Sequence, residues 1–466
     1  MVESSLIFDI MRVHFIAIGG SAMHNLAIAL SKKGFQVSGS DDVVFEPSKS
    51  RLNKYGLLPA SEGWYPDNIT ADLDAVILGM HARPDNPELQ RALELGLKVY
   101  SYPEYIYEQS KNKRRVVIGG SHGKTTITSM ILHVLKYYER NFDYLVGAQL
   151  AGFETMVKLT DDAPVIVLEG DEYLSSPIDR RPKFHLYHAH IAVLSGIAWD
   201  HINVFPTFED YYSQFVKFLD TIEDSGRVIY YAGDPNLVNL MNDHRGDLKA
   251  VPYDMLPNKV TDGTTSVTTA FGDVPLNIFG NHNILNLNAA RLVCAELGIS
   301  EKDFFEAIKS FNGAARRLEL LGKNQNTAVF KDFAHSPSKL VATIDAVKTQ
   351  FPDRQLVALI ELHTFSSLNK DFLSQYAGTM DAADEAIVFI DNTIFLQKKL
   401  EPYDEFIVKK AFDNTRVNFF NNVEILERFL SSINYKGKNL LLMSSGNFGG
   451  INLDTLTERV LNKSQN

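Results

Sequence analysis

A chain of 466 residues is long enough for two to four domains. Its 45% hydrophobic and 22% charged composition is ordinary for a soluble globular protein, and a net charge of −11 disfavours a general nucleic-acid binder, which needs a basic face. One cysteine, Cys294, excludes an internal disulfide, and in the helix-like run AARLVCAEL it reads as apolar filler. The opening MVESSLIFDIMRV lacks the basic start and long apolar core of a signal peptide. No segment approaches the roughly 18 apolar residues of a membrane helix. The expectation is a cytoplasmic protein with neither a membrane nor a nucleic-acid partner.

Residues 12–18, RVHFIAI, read as a strand, followed by the turn GGSAM, a helix, and strands at QVSGSD, DAVILG and KVYS. Strands alternating with helices predict a parallel sheet. Ala17, Gly19 and Ala22 occupy the small positions of a loose dinucleotide fingerprint, and Asp41 follows the second strand, where an acid would meet a ribose hydroxyl. The same residues also fit a plain tight turn. EQSKNKRR (108–115) reads as a charged linker.

The second segment opens with RRVVIGG and the loop GGSHGKTT. Val116, Val117 and Ile118 form a short apolar strand, and Ile127, Met130, Ile131, Val134 and Leu135 recur at helical spacing. The loop therefore joins a strand to a helix N-terminus, where backbone N–H groups and the helix dipole favour an anion. Gly120 and Gly123 allow close backbone approach, Lys124 supplies a point charge, and the Thr125 hydroxyl can ligate Mg²⁺. The usual G-x-x-x-x-G-K-[ST] pattern would place a glycine at Ile118, so this loop is a shorter form. Two later strands end in polar clusters: Glu169, Asp171 and Glu172, then Asp200 and His201. Ligands of αβ sheets sit beyond the carboxyl ends of strands, so both clusters are expected to converge on the loop. Residues 226–280 read as β-rich, and a helix begins at NHNILNLNAARLVCAELG.

The third segment, after AARRLELLG, reads strand AVFKDFA, helix SKLVATIDAVKTQF, strand QLVALIEL, helix FLSQYAGTM, strand EAIVFID and strand NLLLMSSG before a glycine turn. It is a second open αβ sheet. The fold class is α/β, with expected domains at 1–112, 113–317 and 318–466.

The combination resembles the Mur ligase family, ATP-dependent amide-forming enzymes of peptidoglycan assembly. The family's short loop, G-x-x-G-K-[ST]-[ST], matches Gly120 to Thr126. IAIGGSAM, DNPEL, EGDEY, WDH, GNHNILN, RRLELLG and KDFAHSP follow in family order. The resemblance implies a Rossmann-like UDP-binding domain, a P-loop ATPase-like central domain and a Rossmann-like C-terminal domain that closes over the site. It implies ATP held by Gly120, Ser121, His122, Gly123, Lys124, Thr125 and Thr126, with His282, Asn283 and Asn286 framing adenine, Asp332 on the ribose and Arg317 on phosphate. Lys124, Glu169, His201 and Arg317 would be catalytic, and Thr125, Glu169 and His201 would hold Mg²⁺. The UDP-sugar would lie on Gly19, Gly20, Ser21, Ser40, Asp41, His81, Ala82 and Arg83.

Two branches of the family act on UDP-N-acetylmuramate, one adding L-alanine and one the recycled tripeptide L-alanyl-γ-D-glutamyl-meso-diaminopimelate. DEYLSSPIDRRPKFHLY and LLMSSGNFGGI resemble the tripeptide branch, and Thr364 stands where the L-alanine branch has an arginine. His335, His363, Ser366, Ser367 and Asn369 are the candidate acceptor residues, and Arg180 and Arg181 could add charge or form a solvated turn. The sequence departs from relatives at Ser195-Gly196, at His335-Ser336-Pro337, and in ELHTFSS, which also lacks an arginine of the tripeptide branch. The lysine that later-acting members carbamylate is expected to be absent: Val216 stands about in its place, with Lys217 next door. A monomer is expected. A P-loop switch or transport ATPase, an NAD-dependent dehydrogenase and a non-enzymatic scaffold are the competing classes.

Overall fold

The computed structural model describes residues 10–199, 201–243, 245–261, 263–314, 317–398 and 400–464. The first sheet holds β1 (Arg12–Ile16), β2 (Gln36–Ser40), β3 (Ala75–Leu78) and β4 (Val99–Ser101), all parallel in the order β2-β1-β3-β4. The second holds β5 (Arg114–Gly119), β6 (Asp143–Leu145), β7 (Val157–Lys158), β8 (Val165–Glu169), β9 (Ile191–Leu194), β10 (Arg227–Tyr231) and β11 (Lys249–Tyr253), in the order β11-β10-β9-β5-β8-β6-β7. Only β7 in that sheet runs antiparallel. β12 (Asn258–Thr261), β13 (Thr264–Thr269) and β14 (Gly272–Leu276) form a small antiparallel meander. The last sheet takes β15 (Glu319–Lys323), β16 (Ala328–Asp332), β17 (Gln355–Glu361), β18 (Glu385–Phe389), β19 (Asn418–Phe420) and β20 (Lys438–Met443), in the order β15-β16-β20-β17-β18-β19. Its antiparallel edge strand is β15. The molecule is a three-domain α/β protein built on parallel sheets, as the sequence predicts. Central parallel strands are covered on both faces, which explains their unbroken apolar runs at Val116–Ile118, Ile166–Leu168 and Ile191–Leu194.

Two expectations of local structure differ. EQSKNKRR is not a linker: the helix Tyr102–Ser110, opened by a Ser101/Glu104 capping box, runs through its start, and β5 begins at Arg114. Lys113 and Arg115 are buried. Lys113 pairs with Asp143 at 2.9 Å and donates to the carbonyls of Thr160 and Ala163. Arg115 pairs with Glu223 and donates to the carbonyls of Ser110, Lys111, Lys113 and His188. Such charges tolerate burial only because every face finds a partner. The helix read at FLSQYAGTM is shorter than expected. Asn369 caps Lys370–Leu373, a single 3₁₀ turn follows, and Gly378 at φ 73° leaves the helical region.

The first two domains share one core. Phe15, Leu26, Leu30 and Ile106 belong to the same buried cluster as Val117, Leu145, Ile166 and Phe184. Asn25 accepts the Met156 N–H at 2.9 Å, and Arg51 donates to Gln149 at 2.9 Å across the same boundary. The third domain packs its own clusters on both faces of its sheet. It meets the central domain through Ile202 and Phe279, a Thr265–Gln350 hydrogen bond of 2.8 Å, and a His122–Ser338 contact of 3.3 Å. No helix among the described residues is long and apolar enough to cross a membrane.

Candidate active site

β5 delivers the chain to Gly120 (φ 113°), and Gly123 (φ 71°) precedes the helix Lys124–Tyr137. The left-handed φ of Gly123 favours glycine, and a Cβ there would sit 2.0 Å from Asn286 Oδ1 and displace that side chain. Ser121 turns its hydroxyl to Tyr211 OH (2.8 Å) and accepts the Ala198 N–H (2.8 Å), which fixes the loop from behind. Lys124 Nζ donates to Gly120 O at 2.8 Å and to Glu172 Oε2 at 2.6 Å, while Glu172 Oε1 accepts the Gly120 N–H at 2.9 Å. One carboxylate thus spans the loop backbone and its cation. Burial works against the charge on Lys124, but Glu172, Asp171 and Glu169 outweigh it and hold its pKa above the usual lysine value. Burial pushes the Glu172 carboxyl up in spite of Lys124.

Two cavities meet at this lysine. The larger, of about 230 Å³, is lined by Ser121 through Thr126, Glu169, His282, Asn283, Asn286, Arg317 and Asp332. The sequence-predicted ATP set, apart from Gly120 behind the loop, therefore surrounds one space. Thr125 donates to Glu169 Oε1 at 2.8 Å, and Glu169 Oε2 accepts the Gly147 N–H at 2.6 Å. His282 Nδ1 is buried without a hydrogen-bond partner, and burial lowers the ring's pKa, leaving it neutral at pH 7. Asp332 is held rigidly, its two oxygens accepting the N–H groups of Leu318 (2.7 Å) and Ala334 (2.6 Å).

The smaller cavity, of about 160 Å³, takes Ser121, Lys124, Asp171, Glu172, His201, Tyr211, Arg317, Phe333, His335 and Lys339. Ligand atoms of Asp171, Glu172 and His201 lie within 4.8 Å of one another. Asp171 also accepts Lys183 Nζ at 2.6 Å. Burial opposes its ionisation, but Lys183, Lys124 and His201 overcome this and hold the carboxyl below the usual range. The metal set read from sequence is thus divided: Thr125 and Glu169 face one cavity, and His201 stands with Asp171 and Glu172 in the other. Asp200 lies outside the described residues. Arg317 reaches both cavities, with its guanidinium 4.7 Å from the Phe333 ring. Val216 and Lys217 are exposed on the helix Phe208–Asp220 and line neither cavity.

In the first domain the Gly19 N–H donates to Asp41 Oδ2 at 2.6 Å, just before the helix Ser21–Lys32 that follows Gly20. Burial raises the Asp41 carboxyl to about 6, with the Gly19 N–H working against the rise and Asp42 adding to it. Ser40 is buried beside it, His81 and Arg83 are exposed, and Ala82 is buried. Asn86 of DNPEL caps the helix Pro87–Glu94, accepting the N–H groups of Glu88 and Leu89. Of the acceptor candidates, His335 lines the smaller cavity with Lys124. His363 lies against Gly446. Ser366 is buried, Ser367 bonds Thr364 at 2.9 Å, and Asn369 is spent on its helix cap. Arg181 pairs with Asp179 and Glu104. Sequence reasoning missed Tyr231, Tyr253, Ser338 and Lys339, which enter the larger cavity from other strands and from the third domain. Lys339 follows KDFAHSP by two residues, a signal that was available.

Three family models match in chain order: "Mur ligase family, catalytic domain" over 12–114, "Mur ligase middle domain" over 118–294, and "Mur ligase, glutamate ligase domain" over 316–446. A UDP-N-acetylmuramate–L-alanine ligase of Sulfurihydrogenibium sp. is 29% identical over 97% of this chain and 98% of its own length. The enzyme of that name from Clostridium botulinum is 30% identical over 81% of this chain and 82% of its own. Among solved structures, a murein peptide ligase from Psychrobacter arcticus superposes with a TM-score of 0.65 at 23% identity, covering 98% of this chain and 99% of the other. With the phosphate loop, its cation and the three-domain order described above, these matches establish that the chain belongs to the Mur ligase family of ATP-dependent amide ligases.

Proposed function

We propose that the enzyme joins UDP-N-acetylmuramate to the tripeptide L-alanyl-γ-D-glutamyl-meso-diaminopimelate, in the cytoplasm and in the course of peptidoglycan recycling. The muramate carboxylate attacks the γ-phosphorus of ATP, and the bond to the β,γ-bridging oxygen breaks, giving an acyl phosphate and ADP. The free amine of the acceptor then attacks the acyl carbon, phosphate leaves, and the amine loses a proton as the amide forms. Such transfer depends mainly on positioning and charge stabilisation. Lys124 neutralises the transferring phosphate, and Arg317, which touches both cavities, holds it between donor and acceptor sides. His282 offers its unpartnered Nδ1 to the base, and Asp332 faces the ribose. Thr125 and Glu169 offer Mg²⁺ hard oxygen donors, with His201, Asp171 and Glu172 as a second set, and the cation when bound adds positive charge at the phosphates. Water must be kept from the acyl phosphate, and Ser338 and Lys339 of the third domain cover the larger cavity.

The observation that carries the acceptor reading is the pair of runs DEYLSSPIDRRPKFHLY and LLMSSGNFGGI, which resemble the tripeptide branch; beside them stands Thr364. The connection after β17 holds its hydroxyl in a hydrogen bond to Ser367, with no arginine in the run ELHTFSS. L-Alanine carries its carboxylate beside the reacting amine and calls for a fixed cation close by; a peptide with distant carboxylates does not. A second reading, L-alanine as acceptor, is favoured by the names of the relatives from Sulfurihydrogenibium sp. and Clostridium botulinum. Phosphate release with ATP, Mg²⁺ and UDP-N-acetylmuramate decides between them. The expected result is a higher kcat/KM for the tripeptide; a preference for L-alanine of about tenfold, worth about 1.4 kcal/mol, overturns the acceptor reading and leaves the family assignment standing.

A further inference from the structure

The third domain pairs an exposed ring with a half-buried lysine. Phe365, in the connection after β17, is 53% exposed, and Lys398, at the end of the helix Asn392–Lys398 after β18, lies with Nζ 3.9 Å from the centroid of its ring. Leu396, two residues earlier on that helix, is 80% exposed. Among the described residues no carboxylate pairs with Lys398, and burial alone holds its pKa below the usual lysine value. A cation held on a ring and partly stripped of water gains from an incoming anion more than a fully solvated lysine does.

Topology sets where the two connections that carry this pair begin. β16, β20, β17 and β18 are neighbours and parallel, so their following connections leave one edge of the sheet. His335, after β16, lines the cavity that contains Lys124. At about 4.8 Å per strand, the connection after β17 begins about 10 Å from that after β16, and the connection after β18 about 15 Å away. An extended peptide spans about 3.3–3.6 Å per residue, so a tripeptide lengthened by a γ-linkage reaches over roughly 10–14 Å. The two functional groups of L-alanine share one carbon and cannot cover that distance.

We propose that Lys398, stacked on Phe365, binds the acceptor carboxylate farthest from the reacting amine and so selects for peptide length. The inference rests on the tripeptide reading of the acceptor and names the group that would recognise it. Phe365 acts as the platform.

The test measures KM and kcat for the tripeptide and for the same tripeptide with its diaminopimelate carboxylates amidated, using the full-length enzyme. Lys398→Gln is expected to raise KM for the acid peptide by roughly 10- to 100-fold, the range for one hydrogen bond to a charged group, with the loss concentrated in KM. On the amidated peptide Lys398→Gln and the unaltered enzyme are expected to have equal KM. Lys398→Arg should restore most of the acid-over-amide preference, and Phe365→Leu should weaken it. An unchanged KM, or an equal loss on both peptides, overturns the proposal. Failure of the tripeptide reading itself is seen separately, as preference of the unaltered enzyme for L-alanine. Thermal melting of each variant identifies one that has merely lost its fold, and Lys398→Arg then decides the outcome.

Discussion

Two strand-to-helix turns in this molecule use the same backbone device and differ in one charge. In the first domain the turn at Gly19–Ser21 holds Asp41 on the Gly19 N–H at 2.6 Å. In the central domain the loop Gly120–Thr126 holds Glu172 on the Gly120 N–H at 2.9 Å. Each turn therefore presents its N–H groups to an internal carboxylate, as a helix N-terminus favours. Only the second adds a cation, Lys124, 2.6 Å from that carboxylate. A backbone cradle suffices to bind a stable diphosphate, whereas phosphoryl transfer needs a charge that follows the moving group.

Removing that charge is the most direct way to erase the difference. Lys124→Ala is expected to lower kcat by on the order of 10²–10³ with melting temperature little changed, the usual loss for one transition-state stabiliser. Phosphate release at saturating ATP checks it, and near-normal turnover would make the two turns equivalent. A smaller effect is expected at the hydroxyl and carboxylate beside the loop. Glu169→Gln keeps the side chain's size but loses its charge, and the Mg²⁺ concentration for half-maximal rate should rise about 10- to 100-fold. An unchanged Mg²⁺ titration would confine Glu169 to holding Thr125 and Gly147.

The first turn gives the mildest signal, in pH. Asp41 titrates at about 6 in the folded protein, above its ordinary 3.8. The folded state thus favours the protonated acid: this contribution to stability is full below about 3.8 and is lost as pH rises through about 6. Protonation also removes the negative charge lying on Gly19 N–H. We expect UDP-N-acetylmuramate to bind more tightly as pH falls through about 6, by no more than about tenfold per pH unit, and Asp41→Asn to flatten the dependence. Calorimetric Kd values between pH 7 and 5 test this; an identical slope in Asp41→Asn removes Asp41 from the site.

The strands and the phosphate loop were legible because buried parallel strands are continuous apolar runs and because G-K-T-T follows one of them directly. Residues that reach the site from elsewhere were not. Tyr231 and Tyr253 end strands whose place in the sheet depends on pairing, and Ser338 and Lys339 depend on how the third domain docks. The division of Glu169 from Asp171, Glu172 and His201 depends on the course of the chain after β8, which residue spacing does not encode. EQSKNKRR misled for a related reason. Consecutive charges read as solvated, yet the partners that bury Lys113 and Arg115, Asp143 and Glu223, lie far along the chain.

The core shared by the first two domains bears on how the molecule comes apart. Phe15, Leu26 and Ile106 cannot leave Val117, Leu145 and Phe184 without exposing both sides of one apolar cluster. Heat should accordingly melt these two domains as a single cooperative block, while the third, with its own clusters and few ties to the rest, unfolds in a transition of its own. Differential scanning calorimetry would then show two peaks for three domains. ATP, gripped from both blocks, would draw those peaks together, whereas a sugar nucleotide held by the first turn would raise only the peak of the larger block.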